Sequence, residues 1–135
     1  MLNREMMRTL AAFLLVALSS YAAGNVAGKW SGTMRISAAG EPNVEVPAVL
    51  VLQQKGAALT GTLTPAQKNP ETIYQGKIEG NKVSFEIRGG NPPVSKFDGE
   101  LAGVVLTLTS DFQGQYAGGE RPVRVTLTLK PEPSR

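Results

Sequence analysis

The 135-residue chain predicts an all-β fold: an eight-stranded antiparallel up-and-down barrel, closed at one end and open at the other. Two observations carry this. Between residues 28 and 130 the sequence divides into eight segments in which apolar and polar side chains alternate with period two, the spacing of a sheet with one buried face. The connections between these segments are alternately long and short. In an up-and-down order successive connections alternate ends, so the long ones gather at one mouth and the tight ones close the other.

The barrel is expected to begin only after a leader. Arg4 and Arg8 precede an apolar run over residues 10–18, and the small residues Ser20, Ala22 and Ala23 follow it. That order reads as a secretory signal peptide over residues 1–24, with cleavage after Ala22 or Gly24. The alternative, an uncleaved membrane anchor, is disfavoured because the run falls well short of the ~20 residues a spanning helix needs. About 110 residues remain, enough for one domain with a single core and not for two. The expected organisation is a leader at 1–24, a barrel at 25–130 and a polar tail at 131–135.

The first strand, residues 29–37, places Trp30, Gly32, Met34 and Ile36 on one face against Lys29, Ser31, Thr33 and Arg35 on the other. The second, residues 44–53, directs Val44, Val46, Ala48, Leu50 and Leu52 inward. The third, residues 59–64, directs Leu59, Gly61 and Leu63 inward, with three threonines, β-branched and polar, suited to the wet face. Inward positions continue with Tyr74, Gly76 and Ile78 on the fourth strand, Val83, Phe85 and Ile87 on the fifth, and Phe97, Gly99 and Leu101 on the sixth. The seventh contributes Val104, Leu106 and Leu108, and the eighth Val123, Val125, Leu127 and Leu129.

The middle of the chain repeats itself. Residues 76–87 and 99–110 share the order Gly, aliphatic, Gly, aliphatic, apolar, and each copy reads as one hairpin whose second glycine, Gly80 or Gly103, sits at the reversal. Gly56 serves a similar turn. The long connections are residues 38–43, 65–72, 89–95 and 110–122, bounded or interrupted by prolines at 42, 65, 70, 92, 93 and 122, where no ladder hydrogen bond need be donated.

Composition narrows the function classes. The 14 basic and 11 acidic residues are interspersed, so no basic block exists to follow a phosphate backbone, and nucleic acid is not an expected partner. The chain has neither cysteine nor histidine. This removes disulfides, a lipid anchor on cysteine, the usual transition-metal ligands and the usual general base near neutral pH. No membrane anchor is expected after cleavage, and no motif implies a cofactor or a metal.

Gly28, Lys29 and Trp30 open the first of eight strands spanning about 100 residues, and in this the chain resembles the lipocalin and avidin-like superfamily of up-and-down barrels. The resemblance covers the region after the leader and rests on the Gly-x-Trp motif. It implies that Trp30 plugs the closed end, where the superfamily commonly places an arginine of the last strand over the ring. This chain has Lys130 there, without a flat guanidinium to stack. Avidins also surround biotin with several tryptophans. A single tryptophan, with Gly32, Thr33 and Met34 in place of the avidin polar cluster, points away from biotin.

Every position expected inside is apolar or glycine except for the Tyr74 hydroxyl, so no acid, base or nucleophile is expected within the barrel, and no catalytic residue is assigned. Two functions fit. In the first, the mouth half binds a small apolar or amphipathic ligand without transforming it. The candidate contacts are Met34, Leu63, Tyr74, Phe85 and Phe97, and Phe112 and Tyr116 are candidate lid residues. In the second, the barrel is filled and acts as a structural or protein-interaction module, a homo-oligomer or a partner docking on outward Val49, Val51 and Val105, with Ile73 nearby. The inward glycines Gly32, Gly61, Gly76 and Gly99 suit either account, as space for a guest or as points where strands approach closely. Either way the protein is expected outside the cytoplasm, periplasmic or secreted.

Overall fold

A computed structural model describes residues 25–133 apart from residue 91. The expected leader, residues 1–24, and the last two residues of the expected tail lie outside the described residues. Eight strands follow in order: β1 (Gly28–Ala38), β2 (Val44–Lys55), β3 (Ala58–Pro65), β4 (Glu71–Glu79), β5 (Lys82–Arg88), β6 (Val94–Ala102), β7 (Val105–Tyr116) and β8 (Gly119–Pro131). Each pairs antiparallel with the next, and β1 pairs with β8, so the sheet closes as an up-and-down barrel. The ladder logic continues past β8, where the Glu132 amide donates to the Lys29 carbonyl.

Period-two alternation sets the core. Leu50, Leu52, Leu106, Leu127 and Leu129 are fully or almost fully buried, with Leu50 opposite Trp30 and Leu127 opposite Met34 on β1. Charged side chains point outward, notably Lys77, Glu79, Asp98 and Glu100. A barrel that spans a membrane carries an apolar outer band instead.

Three two-residue turns, residues 56–57, 80–81 and 103–104, close one end. Gly56, Gly80 and Gly103 lead them with φ of 63°, 61° and 62°, while the second turn residue stays at negative φ. Glycine at the first central position is the type II′ requirement, whose twist matches that of the flanking strands. Trp30 lies at this end. Its indole N–H donates to the Val26 carbonyl at 2.8 Å, and the Val26 amide donates to Gln54 Oε1 at 2.8 Å. Val26, with no exposed surface, seals the end, while Lys130 is exposed.

The four inward glycines mark close approaches. A Cβ at Gly99 would lie 1.7 Å from the Thr107 carbonyl oxygen, and one at Gly61 would lie 1.8 Å from that of Val51. Gly32 and Gly76 face the backbone of Thr128 and Leu59 in the same way. The volume a side chain would need there is filled by the neighbouring strand's backbone, which lets the sheet coil sharply enough to close.

Three expectations are corrected. Tyr74 was expected inside, but it lies on the outer face, 40% exposed, and Ile73 takes the buried position. The cause is a β-bulge: Gln75 adopts φ of 53°, and the register of β4 slips by one residue against both β3 and β5. One extra residue reverses the alternation on its N-terminal side. Val104 was expected inside the seventh strand but sits in the 103–104 turn, 63% exposed. Residues 110–122 were expected to be a long loop. They are instead the upper halves of β7 and β8, paired without interruption from Leu106↔Leu129 to Tyr116↔Gly119 around a two-residue turn. The open end therefore carries three five-residue loops, residues 39–43, 66–70 and 89–93, and one β-ribbon.

Candidate functional site

The open end is where the barrel wall is incomplete. Pairing between β6 and β7 stops at Asp98↔Thr109, and β2 pairs with β3 only as far as Ala48↔Pro65. Beyond those points β1, β2, β7 and β8 continue together as a four-stranded extension. Arg121, near the ribbon tip, donates from Nη1 to the Ala39 carbonyl at 3.0 Å and to Glu41 Oε2 at 2.9 Å. This clasp ties the tip to the β1–β2 loop, and the Arg121 guanidinium also stands 5.9 Å from the Tyr116 ring centre.

Beneath the extension the expected ligand contacts meet one another. Phe85 and Phe97 stack with ring centres 5.4 Å apart. Leu108 has no surface a water molecule can reach, and Leu63 and Phe85 keep 1% each. Met34 is buried in the same core. Phe112 and Tyr116, the two candidate lid residues, are half-buried and pack against this core from strand β7 rather than from a loop. Tyr74 is not part of the group. It lies outside the wall with the Arg88 guanidinium 4.4 Å over its ring.

One residue inside was missed by sequence reasoning. Ser110 faces inward from β7, 1% exposed, one residue past the last β6–β7 pair, and its hydroxyl has no hydrogen-bond partner. It is the one buried polar residue among the described residues. The signal was available: Leu106, Leu108, Ser110, Phe112, Gly114 and Tyr116 keep period two through the supposed loop.

Several charged groups of the rim are engaged with each other. Arg124 makes a bidentate pair with Asp111, Nε–Oδ1 2.7 Å and Nη2–Oδ2 3.1 Å. Hydrogen bonds from that guanidinium, reinforced by its charge, hold the Asp111 carboxyl below the usual carboxylate range. Arg88 pairs with Glu86, and Gln115 donates to Glu120. No three acidic side chains gather as a metal site among the described residues. Of the outward valines, Val51 is exposed and Val49 and Val105 are half-buried. The register sets Ser31 and Lys130 between Val49 and Val105, so the three form no continuous patch. Ile73 is buried and leaves the group.

Comparison with protein-family models, with curated proteins and with solved structures returned no match.

Proposed function

We propose that this protein is an exported, non-enzymatic interaction module, a solid barrel that engages another protein through its open end. The observation that carries the reading is the packing of the mouth half. The side chains that would have to line a ligand cavity fill that space with one another, Leu63, Phe85 and Leu108 leaving no room for a guest. The features left for recognition lie at the rim of the same end: exposed Val44 and Val94, half-buried Phe112 and Tyr116, and the unpaired upper edge of β7. An interior of hydrocarbon apart from Ser110, with Glu41, Glu86 and Asp111 of the rim held in ion pairs, offers little from which an activated acid, base or nucleophile could be built. The charged-then-apolar leader supports a location outside the cytoplasm, periplasmic or secreted. Kinship with the lipocalin and avidin-like barrels belongs to the same proposal, supported by Gly28, Lys29 and Trp30 at the closed end.

Fluorescence titration with hydrophobic probes tests this, with Phe97→Trp as reporter and Leu63→Trp as a filling variant. The module reading expects no saturable binding and a clear loss of stability in Leu63→Trp. Saturable binding that Leu63→Trp abolishes without loss of stability would overturn it.

The unpartnered Ser110 hydroxyl favours a second reading. A small amphipathic molecule would direct one polar group to Ser110 and its apolar body among Met34, Leu63, Phe85 and Phe97, with Phe112 and Tyr116 covering it. On that account Ser110→Ala loses probe binding while stability holds.

A further inference from the structure

We propose that the free upper edge of β7 pairs with the same edge of a second copy of this chain, antiparallel, about a two-fold axis through Gln113. The inference rests on the interaction-module reading and names its partner.

The backbone geometry of the ribbon decides which groups are available. In an antiparallel pair, residues alternate between those that exchange hydrogen bonds and those whose N–H and C=O point away. Gln113 stands opposite Pro122, which has no N–H, so this pair belongs to the second kind. Asp111, Gln113 and Gln115 therefore aim their N–H and C=O groups away from β8. They continue the row of Val105, Thr107 and Thr109, which is paired with β6. Above Thr109 no strand is paired with that row among the described residues, and all three side chains are exposed.

Other free edges at this end are guarded, and this one is not. The edge of β6 carries Lys96 just after Pro92 and Pro93, and β2 passes beyond its last partner through Pro47. Lysine and proline are the residues that blunt an exposed edge. The β7 edge, residues 110–116, holds neither, has no bulge, and is in continuous register with β8.

Its sequence is complementary to itself. With Gln113 opposite Gln113 of the second copy, Phe112 falls opposite Gly114 and Ser110 opposite Tyr116, a large side chain against a small one at both inner positions. On the outer face Asp111 meets the Gln115 amide, so no like charges face each other, and Asp111 is already paired with Arg124. The ladder would hold about six backbone hydrogen bonds. With little apolar area added, the dimer is weak and its population depends on concentration.

Sedimentation analysis of the protein across a concentration series tests this, together with residue-resolved amide exchange. The expected result is a monomer–dimer equilibrium in which the Asp111, Gln113 and Gln115 amides slow with rising concentration, while those of Phe112 and Gly114 are protected throughout. Gln113→Pro removes the central donor, and Gln113→Lys sets two like charges on the axis. Each is expected to weaken association at least tenfold with an unchanged thermal melt, and the second variant keeps the test valid if proline disturbs the ribbon. A monomer at every concentration, or a dimer indifferent to both variants, overturns self-pairing. So does edge protection that arises only when a different protein is added. Those results leave the module reading standing, which falls instead on saturable probe uptake.

Discussion

Replacing Trp30 with alanine should cost about half of the fold's stability. The side chain is almost wholly buried at the closed end, and its N–H holds the Val26 carbonyl, which in turn keeps residues 25–27 across the barrel floor. Truncating a buried aromatic costs about 3–5 kcal/mol through lost transfer and residual cavity. Releasing the Val26 carbonyl adds about 1 kcal/mol or less, because an opened floor lets water reach that oxygen. A total of about 3–6 kcal/mol compares with about 5–15 kcal/mol for a typical domain. Trp30→Phe keeps most of the buried ring and loses the hydrogen bond, so about 1–2 kcal/mol is expected. Urea unfolding followed by far-ultraviolet circular dichroism is the assay, since Trp30 is the only tryptophan and fluorescence disappears with it. An Ala variant with the parent's midpoint would refute the reasoning. Equal losses in Ala and Phe would show that the hydrogen bond, rather than packing, dominates.

Three further outcomes are expected. Ser110→Ala should leave stability unchanged or raise it by about 1 kcal/mol in thermal melts, because it removes a buried hydroxyl with no partner; a loss above that size would reveal a bond Ser110 makes in solution. Gly99→Ala forces a methyl onto the Thr107 carbonyl and should cost at least about 1–3 kcal/mol in urea, whereas Ala at solvent-facing Gly90 should cost far less; equal effects would contradict the close approach. The Asp111 carboxyl is held low by Arg124, so its contribution is present above the unfolded carboxylate value of about 3.9 and fades as pH falls through the lower folded value. Asp111→Asn should therefore flatten the acid limb of stability below about pH 4, by a small amount for so exposed a pair, and a variant with the parent's acid limb would show the pair is not formed.

Most of the wall was legible because period-two alternation is a direct imprint of one buried face, and it held on β1, β3, β5, β6 and β8, and on β2 except at the rim, where Val44, expected inward, is exposed. It failed on β4, where Ile73 and Tyr74 are both good strand residues and nothing in composition reveals that Gln75 adds one residue to the strand. The Val104 misplacement was avoidable: in the internal repeat it aligns with Asn81, a turn residue, but its β-branched side chain argued for a strand. At the ribbon, three glycines in residues 114–119 outweighed an alternation that continues to Tyr116, so Ser110 was hidden at the end of a supposed loop. Whether the barrel was hollow could not be read from residue types at all. Glycine leaves space or admits a neighbouring backbone, and only the register between strands decides which.

The central claim, that the mouth half of the barrel is solid, is tested most directly by xenon. Apolar cavities large enough for a guest take up xenon, so a crystal of the protein under xenon pressure should show no xenon among Met34, Leu63, Phe85, Phe97 and Leu108, while a Leu108→Ala variant does at that position. Xenon bound there in the parent protein would contradict the account and restore the ligand carrier in its place.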